Sequence, residues 1–181
     1  MSRTEGYGLF DTALGACGLA WSAEGLVAVL LPERDPQTVR ARFARRHPEV
    51  AETPLPLWAA QAAEAMAALL RGEPRDLADI PVDLAGVGEF ERRVYAAARA
   101  IPPGRAVTYG ELAARIGEPG AAQAVGRALG RNPVPIVVPC HRIVAADGRI
   151  GGFSAPGGAE TKKRILAIEG ARLGDEPDLF G

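Results

Sequence analysis

The sequence predicts an α/β (α+β) protein in two parts: a small N-terminal α/β domain built on a β-sheet, then a mainly helical C-terminal domain. Three observations predict it. Apolar runs joined by a tight turn occupy the first thirty or so residues, and helical apolar spacing follows. From residue 87 the helical pattern returns in short pieces punctuated by glycine and proline. At 181 residues the chain is long enough for one good-sized domain or two small ones, each with a core. The expected boundaries are 1–85, 86–172 and an acidic tail over 173–181.

In the first part, LGACGLAW and GLVAVLL read as two strands joined by a tight SAEG turn. TVRARFARRH and PLWAAQAAEAMAALL read as helices, the second with apolar residues at helical intervals. Cys17 lies among small apolar residues and reads as packing. His47, beside Pro48, reads as a surface loop residue. Nothing catalytic is visible here.

In the second part, VGEFERRVYAAARAI has helical periodicity and IPPGRA stops it. Thr108 and Glu111 match a capping box, so a helix should begin near Tyr109 and end at Gly117 and GEPG. A second helix should run from about Gly120 to Gly130, completing a helix-turn-helix pattern. Two core-packed helices with no nucleic-acid partner would give the same pattern. The second helix is unusually bare: Ala122, Ala124 and Gly126 lie beside Gln123 and Arg127, which stand four apart on one face. Glycine inside a helix costs about 1 kcal/mol relative to alanine, so Gly126 and Gly130 need a reason. Close approach of another backbone is one, either a packed strand or a nucleic-acid groove, and arginine and glutamine beside small residues favour the groove.

NPVPIVVPCHRIV follows, an apolar run that suggests a buried strand, with Pro133, Pro135 and Pro139 confining it to an edge or an irregular extended path. It delivers Cys140, His141 and Arg142 in succession. A buried cysteine is usually inert, but a nearby imidazole can lower a thiol pKa from its usual value of about 8.5. On an extended chain the two neighbours should diverge, so a bridging water would have to carry the proton from thiol to imidazole. A phosphatase loop needs arginine six positions after the thiol, where Ala146 stands; C-x-x-C is absent; and His47 lies upstream, where a papain-like site needs its histidine downstream. Cys17, His47, Cys140 and His141 lack metal-ligand spacing, so no metal is expected.

Composition sets the remaining bounds. With 48% apolar residues and a net charge of −1, disorder is not expected. The N-terminus shows no secretory signal pattern and no run is long enough to span a membrane, so a cytoplasmic protein is expected. Two distant cysteines suit a reducing compartment. The charge is divided: residues 1–85 hold 8 basic and 12 acidic side chains, while residues 86–172 hold 13 basic and 7 acidic. A polyanion partner for the second part would account for this, and so would an ordinary solvated surface.

The PCHR core, with Asn132 eight residues before the cysteine, TYGELAARIG and AVGRALGRN before it and GGFS and LAIEGA after it, closely resembles the O6-alkylguanine-DNA alkyltransferases. The resemblance is strong over residues 87–172 and looser over the first part, which looks like that family's supporting RNase H-like α/β domain. It implies DNA repair by direct reversal of damage. An alkylated guanine swings out of the duplex, and its O6 alkyl group (by extension one on O4 of thymine) passes irreversibly to the cysteine. One protein molecule repairs one lesion, with no cofactor and no metal. Carried over by position, Cys140 is the nucleophile, His141 its water-mediated base and Glu169 the residue that orients His141. Asn132 sits at the hinge between recognition helix and active-site strand, and Tyr109 contacts the flipped nucleotide's phosphate and protonates the departing base. Ser154 hydrogen-bonds near O6, Phe153 walls the pocket, and carbonyls around Val138 and Cys140 read the guanine edge. Ala122, Gln123, Ala124, Gly126 and Arg127 lie on the helix that enters the minor groove. The implied partner is double-stranded DNA carrying O6-alkylguanine, bound by a monomer away from any membrane. The chain departs from the pattern at Gln123, where the family commonly has an arginine that fills the hole left by the flipped base. The alternative is a DNA-binding lesion sensor with weak transfer activity; relatives of that kind replace the cysteine, which is present here.

Overall fold

Ser22 and Gly25 face each other across the SAEG turn, and the strands on either side pair antiparallel: β2 (Gly15–Ser22) with β3 (Gly25–Leu30). These coordinates, a computed structural model, describe residues 2–150 and 157–173. They divide into two units, Met1–Gly86 and Val87–Gly181.

In the first unit a further strand, β1 (Thr4–Thr12), pairs antiparallel with the other edge of β2. Only the two strands on either side of the SAEG turn are expected from the sequence; β1 is not. TEGYGLFDT interleaves glycine and carboxylates, residues depleted from strands, and its place is set by pairing rather than by propensity. Helix α1 (Pro36–Arg46) opens on Asp35, whose Oδ1 accepts the Thr38 N–H at 2.8 Å. Val39 and Phe43, one turn apart, carry its buried face, and Phe43 stacks on Tyr7 with ring centroids 4.8 Å apart. Gly18 admits that ring: a Cβ there would lie 2.4 Å from Phe43 Cε2. Helix α2 (Leu57–Leu70) buries Ala59, Ala62, Ala63 and Met66 and packs on β1. The chain then closes on β3, where the Leu26 N–H donates to Pro81 O at 2.9 Å and the Asp83 N–H to Leu26 O at 2.8 Å. His47 caps the C-terminus of α1.

The second unit opens with α3 (Glu89–Arg99) and β4 (Arg105–Thr108), which runs straight into α4 (Tyr109–Arg115). The capping box is present: Thr108 Oγ1 accepts the Glu111 N–H at 3.1 Å, and Glu111 Oε2 accepts the Thr108 N–H at 2.7 Å. Helix α5 (Ala122–Gly130) packs on α4, and α3 packs on both. The buried Tyr95 hydroxyl donates to Ala128 O at 2.7 Å, tying α3 to α5. After an irregular segment come a 3-10 turn at Cys140–Arg142, β5 (Ile143–Val144), α6 (Gly158–Glu169) and β6 (Arg172–Leu173). Strands β5, β4 and β6 form a small parallel sheet with β4 in the middle. Among the described residues no helix is long and apolar enough to cross a membrane.

The strand expected through VPIVVP does not form. Instead the Val138 N–H closes a turn on Val134 O at 2.9 Å, and Ile136 adopts a positive φ of 74°. Such a φ in a β-branched residue is strained by about 1–3 kcal/mol and persists only where surrounding bonds enforce it. The prolines remove ladder donors, so the segment coils and leaves only Ile143–Val144 to pair with β4.

Candidate active site

Asn132, just past α5, pins the coil. Its Nδ2 donates to Val138 O at 2.8 Å and its Oδ1 accepts the Val134 N–H at 3.0 Å. The Cys140 N–H also donates to Val138 O, at 2.8 Å. Both lone pairs of that carbonyl are therefore engaged. Val138 has no acceptor left for a base edge, which corrects the role the sequence reading gives it; its carbonyl braces the thiol instead.

Cys140 and His141 share a 3-10 turn, so the divergence expected of neighbours on an extended chain does not apply. His141 is fully buried, and its Nε2 lies 2.8 Å from Glu169 Oε1. Arg142 grips the same carboxylate with both ends of its guanidinium, Nε to Oε2 at 3.0 Å and Nη2 to Oε1 at 2.8 Å, while Nη1 donates to Ile101 O at 2.7 Å. Burial alone would push Glu169 up, but His141 and Arg142 outweigh it and hold the carboxyl at about 2. An ionised carboxylate only accepts, so His141 Nε2 carries the proton. Burial, aided by the Arg142 and Lys162 charges, depresses the imidazole against the pull of Glu169, so the ring is neutral. Its Nδ1 is then a lone-pair acceptor, buried and without a hydrogen-bond partner among the described residues.

Burial raises the Cys140 thiol, while the Asn132 side chain, the Lys162 charge and the backbone N–H groups of Cys140 and His141 act to lower it. The resting group is a thiol. Cys17 differs: it lies in β2 beside Thr12, and burial pushes it up to about 11 with no histidine or lysine to oppose it. Cys140 also keeps 7% of its surface open against 1% for Cys17.

Tyr109, the first residue of α4, faces the same pocket of groups, its phenol raised by burial and by the Cys140 charge. On α5, Gln123 and Arg127 are exposed beside the half-exposed Ala122, Ala124 and Gly126. Among the described residues no internal packing demands the glycines: a Cβ on Gly126 would sit 3.8 Å from the Tyr109 ring, ordinary contact, and one on Gly130 would meet nothing within 4 Å. Phe153 and Ser154 lie outside the described residues. No group of three or more His, Cys, Asp and Glu side chains among the described residues could hold a metal ion.

Arg142 and Lys162, which have no role expected from the sequence, also reach these groups. The signal for Lys162 is its place on the buried stripe of α6, at i with Ile165 and Leu166 at i+3 and i+4 and Glu169 at i+7. Arg142 stands beside the two reactive residues, but nothing local shows that its partner is 27 residues away.

Fold and site together describe a helix-turn-helix unit that carries a buried thiol next to a carboxylate-bound histidine. Residues 89–171 match the family described as 6-O-methylguanine DNA methyltransferase, DNA binding domain. A methylated-DNA–protein-cysteine methyltransferase of Mycobacterium bovis is 34% identical over 174 residues, 96% of this chain and 98% of that protein. The protein of that name from Mycolicibacterium paratuberculosis is 48% identical over 110 residues, 61% of this chain and 64% of its own length. A crystal structure of Mycobacterium tuberculosis OGT in complex with DNA superposes with a TM-score of 0.74 at 33% identity, covering 97% of this chain and 99% of that one. This chain belongs to the methylated-DNA–protein-cysteine methyltransferase family.

Glu169 generates a pH prediction. Its carboxyl falls from an ordinary 4.5 to about 2 on folding, so the stability it contributes is complete above about pH 4.5 and is lost as pH falls through about 2. That contribution is on the order of 3 kcal/mol. Glu169→Gln should be less stable than wild type at neutral pH and lose less on acidification, as read from urea midpoints across pH. Parallel profiles for the two proteins would remove the carboxylate from this role.

Proposed function

We propose that the protein repairs DNA by direct reversal, moving the alkyl group from O6 of a guanine in duplex DNA to Cys140 in a single, irreversible turnover. The observation that carries this is the buried line from Cys140 through His141 to an ionised, arginine-clamped Glu169, placed beside a helix-turn-helix whose second helix is bare.

The chemistry follows from the charges. His141 Nδ1 takes the thiol proton through one water, and the imidazolium so formed is balanced by Glu169, which its low pKa keeps ionised. The thiolate then attacks the alkyl carbon. The S–C bond forms as the C–O6 bond breaks, and the electron pair passes into the guanine ring. Tyr109 donates its phenolic proton to that ring, neutralising charge that exists only as the bond breaks. The product is a thioether with no route back to the thiol, so one chain is consumed per lesion. Asn132 holds the coil that presents the sulfur.

To react, the base must leave the stack, which costs a few kcal/mol and less for a poorly paired alkylguanine. The bare face of α5 supports close approach to the minor groove, where bulky side chains would hold the backbone away; Arg127 meets phosphate and Gln123 enters beside the displaced base. The first unit supports the fold, and the protein acts as a cytoplasmic monomer.

Three outcomes test this. Incubated with duplex DNA carrying O6-methylguanine, the protein should gain one methyl group on its Cys140 peptide by mass spectrometry; tight binding with an unmodified Cys140 would identify a lesion sensor instead. Gln123→Arg should change the transfer rate on duplex DNA but not the rate with free O6-benzylguanine, and equal duplex rates would dispose of the role given to Gln123. Gly126→Ala should raise stability by about 1 kcal/mol, because no internal contact opposes the methyl, yet weaken duplex binding. Unchanged binding in a gel-shift titration would count against a close groove contact.

A further inference from the structure

Lys162 is 1% exposed, and its charge is not matched as that of Arg142 is. Its Nζ donates to Ile143 O at 2.6 Å and to Tyr109 Oη at 3.4 Å, and lies 5.6 Å from the centre of the Tyr109 ring. Among the described residues no carboxylate is within ion-pair distance of it. Burying an ammonium without a counter-ion is costly, so a lysine kept this way calls for an explanation in the chemistry beside it.

We propose that Lys162 is a positioning residue for alkyl transfer: its ammonium, anchored on Ile143, turns the Tyr109 hydroxyl toward the departing base and balances the Cys140 thiolate. The inference rests on the alkyl-transfer reading and deepens it. An ammonium has no lone pair, so in the Lys162–Tyr109 contact the phenol oxygen must accept. The phenol's own hydrogen is thereby directed away from Lys162, to whatever acceptor enters the site.

The proton count closes. When Tyr109 gives its proton to the guanine leaving group, the phenolate takes one from Lys162, and the lysine becomes a neutral amine. At that moment the thiolate has become a neutral thioether, so the ammonium loses its counter-charge as it loses its proton. Burial pulls Lys162 down to about 8 while the Cys140 charge pulls it back up, which suits a group that releases its proton when the thiolate disappears. The other titratable groups that interact with this pair are Cys140 and His141 in the turn.

The test uses the full chain as wild type, Lys162→Met, Tyr109→Phe and the double variant. Two rates are followed by mass spectrometry of the Cys140 peptide: carboxamidomethylation by iodoacetamide across pH, and single-turnover methyl transfer from duplex O6-methylguanine. Lys162→Met should move the labelling midpoint alkaline by about one pH unit and slow transfer about tenfold at neutral pH. The slowing should be smaller in the Tyr109→Phe background, because part of the effect passes through the phenol. An unmoved labelling midpoint, or equal slowing in both backgrounds, would overturn the proposal and leave Lys162 a packing residue. If Lys162→Met does not melt cooperatively, Lys162→Gln, which keeps a polar donor but no charge, carries the same readouts. A wild type that labels at Cys140 yet takes no methyl from DNA would refute the alkyl-transfer reading itself, and the labelling midpoint would still decide whether Lys162 tunes the thiol.

Discussion

One carboxylate holds the second unit's reactive residues in place. Glu169 accepts from His141 and from both arms of Arg142, and Arg142 reaches on to the Ile101 carbonyl at the end of α3. Three charged or titratable side chains are thus taken out of water together. Desolvation on this scale is tolerated because each polar atom it strands finds a partner, and a bidentate guanidinium offers the geometry that offsets most of the cost. The exception is His141 Nδ1, a buried acceptor with no hydrogen-bond partner among the described residues, and the atom that the proposed transfer would load with the thiol proton.

The two cysteines show how little residue type decides alone. Both are buried, and burial raises both thiols. Around Cys17 the neighbours are a strand, a threonine and a nearby aspartate, and the sulfur remains a packing atom. Around Cys140 an amide, two backbone N–H groups and an ammonium all favour the anion, and a neutral imidazole is next in the chain. The strained backbone at Ile136 is the local cost of aiming that sulfur, enforced by Asn132 from one side and by the Val134–Val138 turn from the other.

Helix α5 repeats the lesson on the surface. Glycine at 126 and 130 weakens a short helix without relieving any crowding among the described residues. Val125, Ala128 and Leu129 hold the inner face, and the Tyr95 hydroxyl fastens it, so the outer face is free to be shaped by whatever lies against it. The basic excess of the second part of the chain lies in the same unit as that face.

The sequence by itself determined the features that arise within about one helical turn. The SAEG hairpin, the Thr108–Glu111 capping box, the two helices of the helix-turn-helix and the bare face of α5 are all local, because their bonds link residues a few positions apart. The PCHR segment with Asn132 pointed to the family for the same reason, being a short run of fixed spacing. What only the tertiary structure decided depends on distant partners. β1 is a strand because β2 lies beside it; the VPIVVP run is a coil because prolines and Asn132 outweigh its β propensity. Arg142 and Lys162 join the site because Glu169 and Tyr109, 27 and 53 residues away along the chain, are brought to them. Spacing along a sequence records the helix or turn a residue sits in, but the counter-charge of a buried ion is chosen by the fold.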